Sequence, residues 1–312
     1  MTIEKSIKKN FDLTPFTTFR IGGQAEFFLA IKNKPELVKA VAWAKAKKLP
    51  LNILAGGSNI LIVRKKINGL VLKISGEHYL VKKNYITCWA GTGLSKLAKI
   101  SAQAGLGGLE WGFGIPGSLG GAVRGNAGAY GGDISRRVIQ VSVYDISKDK
   151  FIKLDNKACG FSYRHSLFKQ NKNLIITEVR LKMKPGSPEE IKKIITNNLL
   201  HRLKRQPKWP SAGCIFKNLE YKKIIKQNKE LAEVLASKGL VKGGKVGVGY
   251  LVDELKLKGK AVGGAKVSDQ HANFIINTGQ AQAKDIVRLI NLIKRKITHK
   301  YKISLEEEIQ YF

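Results

Sequence analysis

The sequence has few cysteines and no long apolar run. Its three cysteines, Cys88, Cys159 and Cys214, are an odd number without CxxC spacing, which argues against a disulfide framework and against a zinc site. No run approaches the roughly 18 uncharged apolar residues that a membrane-spanning helix needs. Residues 1–10 are charged, unlike the apolar core of a secretory signal. We therefore expect no metal, no membrane contact and a place in the cytoplasm.

Acidic residues are also scarce beside basic ones, with 23 Asp and Glu against 56 Lys and Arg and a formal net charge of +33. Such a charge is typical of proteins that bind nucleic acid through phosphate contacts. However, lysine greatly outnumbers arginine and is scattered along the chain, without the interleaved aromatic residues of strand-stacking surfaces. We interpret the charge as a solvated lysine surface that would also attract a polyanionic small substrate, and we expect no nucleic-acid partner.

The chain of 312 residues is long enough for two or three domains. Apolar residues at helical spacing predict a helix over residues 35–47, and short apolar runs predict strands over 51–54 and 60–63, on either side of a glycine turn. A strand over 85–90 and a helix over 94–102 follow the same reasoning. The first part of the chain is therefore a mixture of helix and strand.

Glycine recurs so often between residues 105 and 132 that we expect no long regular element there, since each glycine costs about 0.5 to 1 kcal/mol against alanine inside a helix or strand. Period-two patterns predict strands over 138–144 and 174–183. A helix then begins at Ser187-Pro188 and ends before Pro207, which indicates a domain boundary. Its predicted buried face consists of Ile191, Ile194, Ile195, Leu199 and Leu203.

The last third of the chain begins with residues 211–218 and a lysine-rich helical insert over 220–245. A strand over 272–277, a helix whose apolar face runs from Ile286 to Ile297, and a closing strand over 305–312 are predicted after it. This part is again a mixture of helix and strand.

Two glycine elements are candidates for binding a pyrophosphate, because glycine allows backbone N–H groups to approach phosphate oxygens closely. The first is Gly56-Gly57-Ser58-Asn59, which could equally be an ordinary hairpin turn. The second, residues 112–117, spells GxGxxG. A Rossmann site is a poor interpretation of it, because Pro116 lies inside the pattern, no clear strand leads into it, and Asp133 lies in another glycine turn.

Longer strings of residues carry a family resemblance. Residues 114–122 and 126–131 resemble the flavin-binding segment of the UDP-N-acetylenolpyruvoylglucosamine reductases, the MurB family, and residues 56–59 resemble the other FAD pyrophosphate loop of that family. Further matches run nearly end to end, at residues 17–23, 163–166, 211–218, 264–268, 271–277 and 305–309. The resemblance therefore covers almost the whole chain.

The fold that the resemblance implies is α+β: a two-part FAD-binding domain of the vanillyl-alcohol-oxidase (PCMH) type and a smaller α+β substrate-binding domain. We place the FAD-binding subdomains at residues 1–75 and 76–205 and the substrate-binding domain at residues 206–312. The absence of an added loop that would bring a second tyrosine to the substrate makes the chain similar to the shorter branch of the family.

The function that the resemblance implies is that of a flavoprotein oxidoreductase, a UDP-N-acetylmuramate dehydrogenase. Hydride would pass from NADPH through flavin N5 to the enolpyruvyl group of UDP-N-acetylglucosamine enolpyruvate, giving UDP-N-acetylmuramate for peptidoglycan synthesis. The enzyme would thereby serve cell wall biogenesis, cell shape and cell division. We expect a cytoplasmic monomer with noncovalent FAD, and NADPH as co-substrate.

The resemblance also assigns roles to residues. Those expected to bind FAD are Gly56, Gly57, Ser58, Asn59, Ile60, Ile115, Pro116, Gly117, Ser118, Gly121, Asn126 and Gly128. Tyr163, Lys217 and Asn218 are expected to bind substrate. Arg164 would pair with the substrate carboxylate, a role that suits a planar guanidinium.

Cys214 and Glu308 complete the expected catalytic set. Cys214 stands where many family members have a serine thought to protonate the intermediate, and a thiol can do this because its ordinary pKa of about 8.5 is far below that of an alkyl hydroxyl. Glu308 matches the glutamate of the family's terminal strand, with Glu307 as the alternative because three glutamates follow one another. Leu219 departs from the family's proline, and the insert after it is longer than usual.

Two other functions remain as alternatives. The protein could be an oxidase or dehydrogenase that keeps the FAD domain but acts on another small molecule, although the matches in residues 211–309 argue against this. It could also be a basic nucleic-acid-binding protein, which the charge suggests and the order of the motifs does not support.

Overall fold

The computed structural model describes residues 3–312, and the contacts within the chain divide it into two units. Unit 1 consists of the described residues up to Asp12 together with Gln24–Gly57 and Lys66–Lys204. Unit 2 consists of Leu13–Gly23, Ser58–Lys65 and Arg205–Phe312. Each unit has its own cluster of buried apolar side chains. The three-part division given above stays a prediction.

Residues 3–312 contain many short strands and both short and long helices. The strands are β1 (Lys8–Asp12), β2 (Gln24–Ile31), β3 (Leu51–Leu54), β4 (Ile60–Leu61), β5 (Lys66–Ile74), β6 (Tyr79–Lys82), β7 (Tyr85–Trp89), β8 (Leu106–Gly107), β9 (Gly128–Ala129), β10 (Gly132–Asp133), β11 (Val138–Asp145), β12 (Lys150–Asp155), β13 (Leu174–Lys182), β14 (Lys184–Pro185), β15 (Leu219–Glu220), β16 (Val241–Lys242), β17 (Lys245–Val246), β18 (Ala261–Val262), β19 (Ala265–Val267), β20 (Ile275–Asn277) and β21 (Gln310–Tyr311). The α-helices are α1 (Lys34–Ala46), α2 (Leu94–Gln103), α3 (Leu119–Gly125), α4 (Leu167–Gln170), α5 (Pro188–Arg205), α6 (Tyr221–Gln227), α7 (Lys229–Ser237), α8 (Val248–Glu254) and α9 (Ala283–Tyr301).

Unit 1 begins with a four-stranded sheet in the order β1-β2-β5-β3. Strands β2, β3 and β5 are parallel, so α1 makes the crossover connection that parallel strands need. The helix starts where the sequence predicts, because the Asn33 side chain accepts a hydrogen bond from the Glu36 amide and Pro35 occupies the first turn. The carboxyl ends of β3 and β5 lead directly into the glycine-containing segments described below.

The second sheet of unit 1 is antiparallel, in the order β12-β11-β13-β7-β6. Both predicted strands are present. Strand β13 shows the predicted alternation from Thr177 to Lys182, whereas the alternation predicted for β11 is wrong, since all residues from Val141 to Asp145 are buried. Burial of consecutive residues means that both faces of β11, which lies between β12 and β13, are covered along this stretch. As predicted, the longest element between residues 105 and 132 is the seven-residue helix α3.

Helix α5 ends unit 1, and only part of its predicted apolar face is buried. Ile191 and Ile195 are buried, whereas Ile194 and Leu203 are 48% and 54% exposed. Near its end the helix contacts the glycine-rich loop through Arg202, whose Nη2 donates to the Trp111 carbonyl at 3.4 Å. The face of α5 that contacts the rest of unit 1 therefore contains residues 191, 195 and 202. Ile194 and Leu203 lie outside that face.

Unit 2 is built around α9, which packs six buried apolar residues into the unit's core and has a capping box at Gln282. Strands β18, β19 and β20 form one small sheet, and β15, β17 and β16 form another. The lysine-rich insert is helical as predicted, as α6 and α7. None of the helices within residues 3–312 is long and apolar enough to cross a membrane.

The closing strand of unit 2 is shorter than predicted. Only β21 is a regular strand, parallel to β4, and Glu307 makes an isolated bridge with Phe216. The segment changes its partner along its length: the Glu308 amide donates to the Ile215 carbonyl at 2.8 Å, while the Gln310 amide donates to the Asn59 carbonyl at 2.9 Å. This change of partner brings three distant parts of the sequence together.

Candidate active site

The two glycine turns of unit 1 lie against each other. A Cβ atom built on Gly56 would lie 2.6 Å from the Ser118 amide nitrogen and would also overlap Gly117. Gly57 and Gly117 have φ values of 65° and 118°, in the region that favours glycine. The contact therefore requires glycine at residue 56 for space and at residues 57 and 117 for backbone conformation.

Helix α3 orients the second turn. Ser118 caps the helix by accepting a hydrogen bond from the Gly121 amide at 3.4 Å, and the Leu119 amide donates to the Thr92 carbonyl at 2.8 Å. Among hydrogen bonds within residues 3–312, none has the amide of Gly57, Gly117 or Ser118 as its donor. Backbone N–H groups arranged in this way suit phosphate oxygens.

A cavity of about 470 Å³ opens beside the two turns. Its lining residues come from both turns, from the end of β5 and from the loop after β7: Gly56, Lys73, Ile74, Ser75, Gly76, Glu77, Gly91, Gly117 and Ser118. Burial lowers the pKa of Lys73 from its ordinary value. The glycine turns and the free volume beside them fit the diphosphate part of a dinucleotide. FAD is such a dinucleotide, so the residues present fit the predicted cofactor.

The other predicted cofactor residues of unit 1 shape the same segment. Ile115 is half-buried and packs on the core of unit 1, and Pro116 is exposed beside it. Asn126 has φ 42° and ends α3. Its side chain donates to the Ser162 carbonyl at 2.8 Å and accepts from the Ser135 amide at 3.3 Å. This side chain therefore holds neighbouring loops in place.

Arg164 is held by the predicted flavin-binding segment of the same unit. Its Nη2 donates to the Gly128 carbonyl at 2.9 Å, with Nη1 at 3.5 Å from the Asn126 carbonyl. The residue has φ 56°, a conformation that costs free energy in a residue other than glycine and recurs at functional sites. The guanidinium also lies 5.4 Å from the centre of the Tyr163 ring, so the two predicted side chains are neighbours.

Cys214 lies in unit 2, in a segment held from two sides. It follows Gly213, which has φ 77°, and it makes an isolated bridge with Phe274. The Ile215 amide donates to the Asn273 carbonyl at 2.8 Å, and the buried Asn273 side chain makes two hydrogen bonds to the Phe216 backbone. The half-buried thiol is therefore carried by a well-fixed backbone.

Glu308 is brought to this segment by the closing part of the chain. Its amide donates to the Ile215 carbonyl, next to Cys214 in sequence. Its own carbonyl accepts a hydrogen bond from the Asn59 side chain at 3.1 Å. Unit 2 thus joins the last residue of the first glycine turn, the predicted catalytic glutamate and the segment of the predicted thiol.

Glu307 is occupied elsewhere. Its carboxylate forms an ion pair with Lys294 of α9, and its side chain is 16% exposed. Burial, a hydrogen bond to Glu307 and the charge of that carboxylate together raise the pKa of Tyr311. Since neighbouring side chains of an extended backbone point in opposite directions, the pairing of Glu307 leaves Glu308 as the better candidate for a catalytic carboxylate.

The predicted substrate residues of unit 2, Lys217 and Asn218, follow the Cys214 segment in sequence. Lys217 pairs with Glu306, and its side chain is 19% exposed. Asn218 beside it is exposed. The pKa of His271 is lowered by burial and by the charges of Lys258 and Arg205.

Sequence reasoning missed three of these residues. Lys73 could have been noticed as the lone charge in the apolar run from Leu70 to Ile74. Asn273 lies within the matched segment 271–277, but its hydrogen bonds to the Phe216 backbone depend on a partner distant in sequence. Lys294 carries no signal beyond its helix position. Among residues 3–312, no group of His, Cys, Asp and Glu side chains could hold a metal ion.

Comparisons with known proteins cover nearly all of the chain. Residues 206–312 match the family model of the UDP-N-acetylenolpyruvoylglucosamine reductase C-terminal domain, and residues 25–155 match that of an FAD binding domain. The UDP-N-acetylenolpyruvoylglucosamine reductase of Synechococcus sp. is 35% identical over 311 residues, which cover 97% of this chain and 92% of that protein. The one of Prochlorococcus marinus is 36% identical, with 97% of both proteins covered.

A solved structure is similar over the same extent. The crystal structure of UDP-N-acetylenolpyruvylglucosamine reductase from Thermus caldophilus matches with a TM-score of 0.76 at 32% sequence identity, covering 98% of each chain. The similarity therefore extends from the sequence to the fold.

Proposed function

Since the chain belongs to the UDP-N-acetylenolpyruvoylglucosamine reductase family, we propose that it reduces the enolpyruvyl group of UDP-N-acetylglucosamine enolpyruvate with NADPH, giving UDP-N-acetylmuramate. The product serves peptidoglycan synthesis. The observation that most supports the proposal is the meeting of Asn59, Glu308 and the Cys214 segment in unit 2.

The family assignment confirms the predicted fold class, a PCMH-type α+β FAD-binding domain followed by a smaller α+β C-terminal domain. It also confirms that the protein is an oxidoreductase with FAD as its cofactor. Bound FAD would supply hydride-transfer chemistry, because a flavin that NADPH has reduced can give a hydride to the substrate. Gly56, Gly57, Gly117 and Ser118 would hold its diphosphate through backbone amides, without a covalent bond.

Arg164 would bind the carboxylate of the enolpyruvyl group. A guanidinium presents several N–H donors in a fixed fork, and the bond to Gly128 sets the orientation of that fork. As negative charge develops on the carboxylate during reduction of the neighbouring alkene, a preoriented cation stabilises it more than water could. Tyr163 would limit the movement of this side chain and contact substrate beside it.

Cys214 would donate the proton that completes the reduction. A positioned acid typically accelerates such a step by about 10² to 10⁴. The hydrogen bonds on both sides of the Cys214 segment keep the sulfur in one place, and positioning is what the step requires.

Glu308 would stabilise the intermediate state or tune the acid, as expected from the family. Its backbone is tied to both Asn59 and Ile215, which limits its movement relative to the Cys214 segment. Lys217 and Asn218 would bind the phosphates and sugar of the substrate.

The enzyme would act in the cytoplasm, where NADPH and nucleotide-linked precursors are present, and we expect a monomer. The proposed reaction requires neither nucleic acid nor a membrane.

One experiment tests the proposal directly. The purified protein should show the visible spectrum of bound flavin, and NADPH should be consumed rapidly only when the enolpyruvyl nucleotide is present. UDP-N-acetylglucosamine, which lacks the enolpyruvyl group, is the matched control. Mass spectrometry should show that the product has two more hydrogen atoms than the substrate, a mass increase of about 2 units. A protein that cannot bind added FAD would overturn the proposal.

A further inference from the structure

Helix α9 of unit 2 has an outward side that takes no part in the proposed reaction. Exposed basic residues recur on it at intervals of three, four or seven positions, and this spacing places them on one side of a helix. The apolar residues of the opposite side are buried in the core of unit 2. We call this basic row the α9 face; it consists of Lys284, Arg288, Arg295, His299 and the C-cap residue Lys302.

The α9 face lacks the counter-charges that other lysines of unit 2 have. Lys258 and Lys266 each pair with an aspartate, and Lys294, elsewhere on α9, pairs with Glu307. Within residues 3–312, no acidic side chain forms an ion pair with a residue of the α9 face. The one acid of the helix, Asp285, is buried in the capping box. Like charges four residues apart destabilise a helix slightly, so helix stability does not explain this row.

The shape of the α9 face fits a flat anionic surface. The helix has 19 residues and is therefore about 28 Å long, and a row along one side of a helix can meet a plane at every member. Duplex nucleic acid carries its phosphates on curved strands, which such a row would meet at fewer points. The face contains no aromatic side chain that could stack on a base.

We propose that the α9 face docks the protein on a bilayer surface that contains anionic phospholipids. The cytoplasmic leaflet has a negative surface potential, which attracts clusters of Lys and Arg. Helix α9 has no exposed large apolar residue, so the contact is electrostatic and salt reverses it. Hydropathy alone predicts no membrane contact, whereas surface charge adds this one. The docking goes beyond the proposed function and does not depend on it.

The first variant of the test removes three charges of the α9 face through Lys284→Gln, Arg288→Gln and Arg295→Gln. Glutamine is close to lysine and arginine in helix propensity, so α9 should still form. Circular dichroism checks the fold. Turnover of soluble substrate without vesicles should equal that of wild type, since these residues lie outside the candidate active site.

The matched control removes three charges outside the α9 face, through Lys39→Gln in α1 and through Lys192→Gln and Lys193→Gln in α5. All three lysines are exposed. Cosedimentation measures binding to vesicles of phosphatidylcholine alone and of phosphatidylcholine mixed with phosphatidylglycerol, at low and at high salt. A duplex RNA of mixed sequence is the second polyanion tested.

We expect wild type to bind the vesicles that contain phosphatidylglycerol and not those of phosphatidylcholine alone, with weaker binding at high salt. The α9 variant should bind at least about tenfold more weakly than wild type, because each basic residue near an anionic bilayer contributes to the attraction. The control variant has the same net charge as the α9 variant but keeps the α9 face. Its affinity should therefore stay within about threefold of wild type.

Three results would overturn the inference: no binding of wild type to the anionic vesicles, equal losses in the α9 variant and the control variant, or vesicle binding that high salt does not weaken. Equal losses would mean that net charge alone governs binding. Loss of RNA binding in the α9 variant with unchanged vesicle binding would also overturn it and would assign the α9 face to nucleic acid.

Discussion

The candidate sites of unit 1 and unit 2 differ in the kind of group that would contact a ligand. In unit 1 the candidate site is mostly backbone, because Gly56, Gly57, Gly117 and Ser118 present peptide groups to a cavity. In unit 2 it is mostly side chains, with a thiol, a carboxylate and cations on a fixed backbone. A backbone site depends on space and conformation, whereas a side-chain site depends on the functional group. The two units should therefore respond to different kinds of substitution.

The largest effect is expected in unit 2 from removal of the thiol. Cys214→Ala should lower turnover by about 10² to 10⁴, because a positioned proton donor is lost. Reduction of the bound flavin by NADPH, followed by its visible absorbance in the absence of substrate, should be unchanged. Cys214→Ser, which keeps a donor with a higher pKa, should retain measurable turnover. Normal turnover by the alanine variant would remove Cys214 from the mechanism.

The next effect separates two neighbouring carboxylates of unit 2. Glu308→Gln should lower kcat about 100-fold, the range found when one stabilising group is lost from an active site. Glu307→Gln should change kcat less than about threefold, since Glu307 is paired with Lys294 and should contribute to structure only. Steady-state kinetics of the two variants give the comparison. A larger loss for Glu307→Gln would show that the register of the three glutamates has been misassigned.

In unit 1 a single methyl group should matter. The Cβ of Gly56→Ala would overlap the second turn, so the turns must separate. We expect FAD affinity to fall about tenfold and the free energy of unfolding to fall by about 1–3 kcal/mol, as for other overpacked sites. Fluorescence titration and chemical unfolding measure the two quantities.

Gly125→Ala is the matched control for that variant. Gly125 ends α3, and a Cβ atom built there would contact nothing within 4 Å. This change should leave FAD affinity unaltered and should not destabilise the fold. Equal effects of the two substitutions would mean that the contact between the turns does not govern binding.

Only some parts of the molecule could be predicted from sequence. The start of α1, the short elements of the glycine-rich stretch and the residues of both turns follow from local rules, since caps and glycine preferences act over a few residues. The buried β11, the partly exposed α5 and the broken closing strand do not, because each depends on partners distant in the sequence. The place of Lys73 in the cavity depends on the register of β3 with β5, which no local pattern specifies.

The smallest effect concerns pH and again belongs to unit 2. The pKa of His271 is lowered by burial and by Lys258 and Arg205, so the unfolded chain binds this proton at a higher pH than the folded one. Stability should therefore fall as pH drops below about 6.5, the ordinary pKa of histidine, until His271 itself is protonated in the folded state. Chemical unfolding on both sides of this value should show a smaller loss for His271→Gln than for wild type, while His78→Gln, which changes an exposed histidine of unit 1, should behave as wild type. An equal loss in all three proteins would assign the pH dependence to other groups and would remove the cations near His271 as its cause.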